Sequence, residues 1–269
     1  MPTEAIPVPL GEDRREPTQL DQISGQLLRN VHSWNGRIQK FGGLSRLGGT
    51  SQTLTQPPRN FFEAIFPEGT RQLLALSVSI NGTFQYWNGT VWSANLSGAG
   101  GRITTPGPSN VRYSIVNTLG QVYIAAGGNN NLIVYDTTIA PPGDLVFLTG
   151  HGVSGVTNLS CRVILGFGDR LVLVRTVEDG VDKPNRIRWN ALSAGPVGGF
   201  NTALSGSGSR EITESTSEPL TGGFVLGERA FLTKAHEILE LIPNEDPAVV
   251  FAIESRVSGT GLIAPFSVA

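Results

Sequence analysis

Residues 73–94 read LLALSVS-ING-TFQYW-NG-TVWSA, so that runs of strand-forming residues alternate with Asn81-Gly82 and Asn88-Gly89. A two-residue type I′ turn needs a positive φ angle at both central residues, and Asn-Gly is the pair that adopts it most readily. Two such pairs in succession predict three antiparallel strands that are joined by tight turns.

The same arrangement recurs three more times along the chain. Large side chains at Trp87, Tyr135, Trp189 and Leu241 anchor the successive copies, which are spaced 48, 54 and 52 residues apart, and a weaker anchor, Phe41, precedes them. We expect the four main anchors to be buried at equivalent positions, because large side chains fill the space between stacked sheets. The further copies are YSIVNT-LG-QVYIAAG-GNNN-LIVYD (113–136), CRVILG-FGD-RLVLVRTV with RIRWNAL (161–192), and GGFVLG-E-RAFLTKA with EILELI (222–242).

A repeated unit of about 50 residues with three or four short antiparallel strands is typical of a β-propeller, since each blade needs a neighbour to cover its sheet. A β-sandwich also has short antiparallel strands, but the regular recurrence of whole three-strand phrases favours the propeller. The predicted fold class is therefore an all-β, propeller-like array of antiparallel blades. Its blade phrases lie near 60–98, 111–138, 159–192 and 219–243.

The two ends of the chain differ from this repeat. Residues 1–20 contain four prolines and few apolar residues, which predicts an extended N-terminal arm before a propeller domain over 21–269. Apolar residues at helical spacing from Leu20 to Val31 predict one short helix. The apolar run at 259–269 predicts the first strand of an incomplete further blade. An arm and an open sheet edge together predict a homo-oligomer, because open edges favour further pairing.

Composition excludes several classes of protein. The chain has 34 glycines and 17 prolines in 269 residues and only 16% charged residues, which argues against a helical bundle. Its net charge of −2 gives no support for strong nucleic-acid binding, which needs clustered Lys and Arg. The sequence shows neither a signal peptide nor an apolar run of about 18 residues for a membrane span. With a single cysteine, Cys161, we expect a soluble product of a reducing cytoplasm.

Residues capable of catalysis or metal binding are scattered. The three histidines, His32, His151 and His236, lie in separate segments without metal-binding spacing, and we interpret them as structural or surface residues. Cys161 begins a strand-like run and is interpreted as a small buried apolar residue. The sequence assigns no catalytic, cofactor-binding or metal-binding residue and no cofactor, so we expect no enzymatic activity.

Several short patterns resemble known sites but are better explained as turns. GFGDRL (166–171) lacks the third glycine of a dinucleotide fingerprint and precedes a strand. EDGVD (178–182) has three carboxylates without the ligand spacing of a calcium loop, which favours a solvated hairpin tip. SINGTF (79–84) resembles the Asp-box turn of sialidase-type glycosidases but lacks its aspartate, and no motif places the two acids that glycoside hydrolysis needs. Four glycosylation-like asparagines are interpreted as turns and strand edges: Asn81, Asn88, Asn95 and Asn158.

Three phrases in order resemble the β-propeller proteins of tailed bacteriophage virions, namely tail-hub, nozzle and head–tail junction components. They are RNVHSWNGRIQKFGGLSRLGGT (29–50), GDRLVLVRTVEDGVDKPNRIRWNAL (168–192), and GFVLGERAFLTKAHEILELIP (223–243) with SGTGLIAPFSVA (258–269). The resemblance implies a non-enzymatic ring, a hexamer, around the DNA-exit channel. It also implies contacts with other tail or portal and adaptor proteins, and genomic DNA that passes through without specific binding.

The expected function is therefore that of a structural component of a phage virion, at the tail or head–tail junction. The resemblance implies assembly in the host cytoplasm and no membrane in the finished particle. One alternative from another class stays open, a carbohydrate-binding or glycan-hydrolysing β-propeller.

Overall fold

The chain divides into two compact units, Met1–Gln52 and Thr53–Ala269. In the first unit, β1 (Val31–Trp34) and β2 (Arg37–Lys40) form an antiparallel hairpin. The predicted arm at 1–20 and the anchor Phe41 lie outside the described residues, as does the predicted helix except for Val31, which begins a strand instead. A computed structural model describes residues 31–34, 37–40, 58–66, 69–77, 83–87, 92, 113–118, 120–128, 131–136, 144–192, 197–213, 217–244, 246 and 249–262.

Four antiparallel sheets make up the described part of the second unit. The first sheet contains β3 (Pro58–Ile65), β4 (Arg71–Ser77) and β5 (Thr83–Tyr86). The second contains β6 (Ser114–Thr118), β7 (Gln121–Ala125), β8 (Ile133–Asp136) and β9 (Asp144–Phe147). The third contains β10 (Leu159–Phe167), β11 (Arg170–Glu178), β12 (Val181–Asp182), β13 (Arg186–Trp189) and β14 (Gly208–Glu211). The fourth contains β15 (Gly222–Leu226), β16 (Arg229–Thr233), β17 (Glu237–Pro243) and β18 (Phe251–Ser258).

In the first, second and fourth sheets, strands that follow one another in sequence pair with one another. The third sheet does the same except that β11 pairs with β13, while the short β12 pairs with the end of β11. No helix occurs in the described ranges. The prediction of an all-β chain of short antiparallel strands is therefore confirmed.

The tight turns agree with the sequence at one hairpin and differ at another. Phe167 pairs with Arg170 across a two-residue turn in which Gly168 and Asp169 have φ angles of 58° and 55°. These are the left-handed angles of a type I′ turn, so GFGDRL is a hairpin, as predicted.

The Asn81-Gly82 prediction is wrong in its register. Ser77 pairs with Thr83, so five residues connect β4 to β5 instead of two. This register places Leu74 opposite Tyr86 and Leu76 opposite Phe84, whereas a turn at Asn81-Gly82 would put serines opposite both aromatic side chains. Cross-strand apolar pairing on the covered face therefore overrides the local turn preference.

The Asn88-Gly89 turn is also not a two-residue connection. Trp87 bridges to Trp92, which leaves four residues between the two partners. Within the described residues, this bridge at Trp92 is the only pairing found for the predicted third strand at 90–94.

The last three predicted phrases carry more strands than expected, since β9 and β18 extend the second and fourth sheets and both β12 and β14 are added in the third. In the first sheet, β3 precedes the run at 73–79 and supplies the missing partner. The run at 259–269 differs from its prediction where it is described, because Gly259–Leu262 lies outside any strand.

Apolar clusters join each sheet to the next one along the chain. Between the first and second sheets, Leu74 and Leu76 of β4 belong to one cluster with Ile124 of β7 and Tyr135 of β8. The Tyr135 hydroxyl also donates a hydrogen bond of 2.5 Å to Oε1 of Gln72 on β4. The junction therefore combines apolar contact with one buried polar contact.

The second sheet is covered on both faces. On β7, Val122 and Ile124 join the cluster with the first sheet, whereas Tyr123 and Ala125 join a cluster with Leu171 of β11. This division follows the period of two that a strand imposes on its side chains.

The third sheet repeats this arrangement. Leu171 and Leu173 of β11 contact the second sheet, whereas Val172 and Val174 belong to a cluster with Leu232 of the fourth sheet. The third sheet therefore covers the face of the fourth sheet that carries Leu232. The four sheets stack in the order in which they occur along the chain.

The first strands of the four sheets also meet one another. In succession β3 contacts β6, β6 contacts β10, and β10 contacts β15. The Ile164 N–H of β10 donates to the Ser114 hydroxyl of β6 at 3.0 Å. A Cβ atom at Gly166 would lie 3.0 Å from the Cβ of Thr118, so this glycine allows the two strands to approach closely.

The four anchors lie on equivalent strands. Tyr135, Trp189 and Leu241 are on the third strand in the pairing order of their sheets, and Trp87 directly follows β5. The first three are buried and Trp87 is half-buried. Their faces differ, however, because Tyr135 and Leu241 face the preceding sheet whereas Trp189 faces the following one.

The indole of Trp189 packs between its own sheet and the fourth sheet. Gly208 pairs directly with Trp189, and a Cβ atom there would lie 2.6 Å from the indole ring. The indole also packs edge-on against Phe251 of the fourth sheet, at 5.4 Å between ring centroids. The glycine opposite Trp189 therefore leaves the space that the indole occupies on this face.

Candidate functional site

The acidic hairpin at 178–182 holds its carboxylates apart. Oε1 of Glu178 accepts hydrogen bonds from Nε of Arg188 at 2.8 Å and from the Thr176 hydroxyl at 3.0 Å. Oε2 accepts from Nη1 of Arg186 at 2.9 Å. Burial raises the pKa of the Glu178 carboxyl, but Arg188, Thr176 and Arg186 together bring it below its usual value. Glu178 is thus an ionised link between β11 and β13.

The two aspartates of this hairpin have other partners. Asp179 accepts the backbone N–H groups of Thr157 at 3.0 Å and Asn158 at 2.8 Å. Asp182 accepts from Nη2 of Arg175 at 2.8 Å. In the described part of the chain, no group of three His, Cys, Asp or Glu residues could hold a metal ion.

The interpretation of this hairpin as a solvated tip is correct in part. Asp179 and Gly180 are exposed at the turn, with φ angles of 49° and 81°. Glu178, however, is buried, because its two arginine partners lie on the neighbouring strand.

Arg175 has an unusual backbone conformation inside a strand. Its φ angle is 53°, a left-handed conformation that non-glycine residues rarely adopt. The guanidinium contacts Asp182 and lies 3.4 Å from the carbonyl oxygen of Leu220, which leads into the fourth sheet. Arg175 thus ties the third sheet to the segment that enters the fourth.

Two of the three histidines have defined surroundings. His151 is buried, and its Nδ1 accepts the Val153 N–H at 3.1 Å. His236 is exposed, and its Nδ1 lies 2.7 Å from Oε1 of Glu218. Hydrogen bonding to His236 lowers the pKa of the Glu218 carboxyl. These positions agree with structural and surface roles; His32 lies on β1.

Cys161 is fully buried on β10, as the sequence predicted. Burial raises the pKa of its thiol, which disfavours the reactive thiolate. Asn158 is exposed just before β10, consistent with a strand edge. The other glycosylation-like asparagines, Asn81, Asn88 and Asn95, lie outside the described residues, as does most of SINGTF.

A second glutamate network lies on the fourth sheet and is not apparent from the sequence. Glu240 is buried on β17 and accepts two hydrogen bonds of 2.5 Å from Nε and Nη2 of Arg229. It also accepts from Nε of Arg256. Hydrogen bonds from Arg229 and Arg256 lower the pKa of the Glu240 carboxyl to about 2.

The surroundings of Glu240 place it on the face away from the third sheet. The Arg229 guanidinium lies 5.3 Å from the ring centroid of Phe231, which stacks on Phe224 at 5.2 Å. The only signal in the sequence is the position of Glu240 between Leu239 and Leu241, whose side chains point to the opposite face.

A cleft of about 520 Å³ runs along the first strands of the second, third and fourth sheets. Its described lining comes from β6, β10 and β15 together with Leu262, and none of these residues is ionisable. A smaller cleft of about 360 Å³ lies between β3 and β6 and includes Glu63 and Tyr113.

These arrangements suit structural roles better than acid–base chemistry. A general acid at neutral pH needs a raised pKa, whereas those of Glu178 and Glu240 are lowered. The buried Glu237 pairs with the buried Lys234 at 3.9 Å. The buried carboxylates named here therefore act as ionic links within and between strands.

No known protein family matches the chain, and no curated protein is similar to it in sequence. Within the described ranges, no helix has the length and apolar character that crossing a membrane requires.

Proposed function

We propose that the chain is a structural component of a bacteriophage virion, built as a β-propeller and assembled into a ring at the tail hub, nozzle or head–tail junction. The observation that carries the proposal is the stacking of four antiparallel sheets in chain order, with their first strands in succession. Blades of a propeller stack in this way around an axis.

The burial of the middle sheets supports a propeller over a sandwich. In a two-layer sandwich each sheet has one face in the core and one towards solvent. Here the second sheet places Ile124 and Tyr123 in different clusters, and the third does the same with Val172 and Leu173. Two successive sheets with both faces covered fit an array of blades.

The virion role rests on the three phrases that resemble phage tail propellers, and the charge of the chain is compatible with it. Strong DNA binding needs clustered basic residues, whereas the chain has 20 Lys and Arg against 22 Asp and Glu, a net charge of −2. A channel through a ring of such chains would let DNA pass without holding it. The proposed partners are further copies of this chain, other tail or portal and adaptor proteins, and genomic DNA.

Native mass spectrometry of the full chain tests the proposed assembly. We expect a homo-oligomer, with six copies as the resemblance implies, and a weaker assembly when residues 1–20 are deleted. A matched control replaces residues 1–20 by a Gly/Ser segment of equal length, which separates the contacts of the arm from its bulk.

Two results would contradict the proposal. The first is a chain that stays monomeric at high concentration and is not detected by antibody in purified phage particles. The second is binding or turnover of glycans by the purified protein, which would favour the carbohydrate-active propeller instead.

A further inference from the structure

The cleft between β3 and β6 combines an apolar wall with polar side chains. Its volume of about 360 Å³ lies within the range of pockets that bind small molecules. Phe61 and Phe62 contribute aromatic rings to its lining, and Glu63, Tyr113 and Asn117 contribute polar groups. An apolar lining with a few polar groups is the usual composition of a small-molecule site.

Tyr113 is a buried residue whose polar atom has no partner. It is 6% exposed and belongs to the apolar cluster between the first and second sheets. Burial raises the pKa of its hydroxyl, so the phenol stays uncharged at neutral pH. Among the described residues this hydroxyl has no hydrogen-bond partner, and Tyr113 lines the cleft. Because buried phenols usually find a partner, Tyr113 indicates that the cleft holds a polar ligand group.

Glu63 gives the cleft a negative charge. In the described lining it is the one side chain that is charged at neutral pH. Its Oε2 accepts a hydrogen bond from Nη1 of Arg71 at 3.2 Å, but both side chains are exposed, so solvent screens this pair. Asn117 is exposed on β6, and its amide oxygen is a further acceptor. The polar groups of the cleft therefore favour a ligand that is cationic and donates hydrogen bonds.

The aromatic rings of β3 suit such a ligand. Phe61 is 56% exposed, and its ring centroid lies 6.2 Å from that of Trp92. Phe62 is held by Phe84, at 5.8 Å between ring centroids. Aromatic faces attract cations and also cover the carbon atoms of an alkyl chain.

We infer that the cleft between β3 and β6 binds a primary alkylammonium group, with its alkyl chain against Phe61 and Phe62. An ammonium group has three donors and no acceptor, which matches the acceptor oxygens of Glu63, Tyr113 and Asn117. A carboxylate or phosphate would instead meet Glu63 as a like charge, which is unfavourable. The inference depends on the packing of the first sheet against the second and is independent of the virion role.

Ligand-observed saturation-transfer NMR tests the inference with the purified full chain. The probe is n-butylammonium, and n-butanol and butyrate are its neutral and negatively charged counterparts. We expect saturable binding of n-butylammonium. Butanol and butyrate should bind at least about ten-fold more weakly, because a hydrogen bond between charged groups contributes about that factor.

Substitutions test whether binding occurs in this cleft. Glu63→Gln should weaken the binding of n-butylammonium about ten-fold, because it removes the negative charge. Tyr113→Phe removes only the hydroxyl and should weaken binding several-fold. Glu254→Gln changes an exposed carboxylate on the fourth sheet and, as the matched control, should bind like the wild type. If Tyr113→Phe fails to fold, Asn117→Ala at its exposed position should show a similar several-fold loss.

Three results would overturn the inference. The first is the absence of saturable binding. The second is equal binding of butanol and n-butylammonium, which would show a cleft that takes apolar chains without regard to charge. The third is unchanged affinity in Glu63→Gln together with Tyr113→Phe or Asn117→Ala, which would place the binding elsewhere. A chain that is monomeric and absent from phage particles should still bind n-butylammonium, so failure of the virion proposal is distinguishable from failure of this one.

Discussion

The third and fourth sheets contain similar strands in different surroundings. Along β11 (Arg170–Glu178) all residues are buried except Arg175, which is half-buried. Along β18 (Phe251–Ser258) only the first residue is buried, and the last five are exposed. The continuous apolar run LVLV of β11 is therefore typical of a strand that is covered on both faces. FAIESRVS of β18, in contrast, has its apolar residues mainly at its buried end and is mostly polar where it is exposed.

Each of these sheets also contains a buried glutamate that is held by two arginines. Glu178 lies in the sheet that is covered on both faces, and Glu240 lies on the face of the fourth sheet away from the third. The same chemical arrangement thus occurs in two environments. Its contribution to stability should be larger where the partners are withdrawn from water.

The largest expected effect is the loss of an aromatic side chain between the third and fourth sheets. Trp189→Ala should lower the free energy of unfolding by about 3–5 kcal/mol, because it leaves a cavity in a packed cluster. The matched variant Phe231→Ala, on the other face of the fourth sheet, should cost about 1 kcal/mol. Urea unfolding measures both. Equal costs would contradict the assignment of covered and open faces.

The next effect concerns the ion pair inside the third sheet. Glu178→Gln should cost about 3 kcal/mol, because it leaves the buried Arg188 without its carboxylate. Glu211→Gln removes the exposed carboxylate that shares Arg186 and should cost at most about 1 kcal/mol. Urea unfolding of both variants gives the comparison. If Glu211→Gln cost as much as Glu178→Gln, burial would not be the cause.

Lowering the pH should reduce the stability of the folded chain through protonation of Glu240 on the fourth sheet. Its pKa of about 2 in the folded chain is below the usual 4.5, so the unfolded chain binds the proton more readily. The stability that this group contributes is present above pH 4.5 and is lost as the pH falls towards 2. Glu240→Gln should therefore lose less stability than the wild type between pH 4.5 and 2.5 in denaturant titrations. Parallel losses in the two proteins would contradict this account.

The smallest effects are expected at solvent-exposed positions of the third and fourth sheets. Val181 on the β11–β12 hairpin and Val257 on β18 are both exposed. Val181→Ser and Val257→Ser should each change the free energy of unfolding by less than about 0.5 kcal/mol. A loss of more than 1 kcal/mol at either position, measured by thermal and urea unfolding, would indicate an unrecognised contact there.

The covered strands could be predicted from the sequence, but their outer neighbours could not. Runs such as LVLV in β11 are recognisable as buried strands by their continuous apolar character. β14 (Gly208–Glu211) reads GSRE, and β9 (Asp144–Phe147) directly follows Pro-Pro-Gly, so neither shows a strand pattern. Edge strands bury fewer side chains, and their pairing depends on backbone hydrogen bonds that the sequence does not encode locally.

Turn chemistry predicted the fold only where it agreed with the core. Gly168-Asp169 forms the expected tight turn because the register it imposes also pairs apolar residues. At Asn81-Gly82 the two requirements conflict, and the pairing of Leu76 with Phe84 decides the register. The space for the Trp189 indole likewise depends on Gly208, which lies outside the predicted phrase.

Networks of charged side chains were the least predictable feature. The pairing of Glu240 with Arg229 and Arg256 joins three strands, and no local spacing identifies it. The carboxylates of EDGVD are close in sequence, yet they bind separate partners because successive side chains of a hairpin point in different directions.

The most direct test of the central claim is a cryo-EM structure of the assembled full chain. The account predicts a ring of copies in which the four sheets of each chain stand as blades around one axis, with β3, β6, β10 and β15 innermost. Sheets paired as a two-layer sandwich, or a chain that forms no ring at concentrations where the purified protein is soluble, would contradict it.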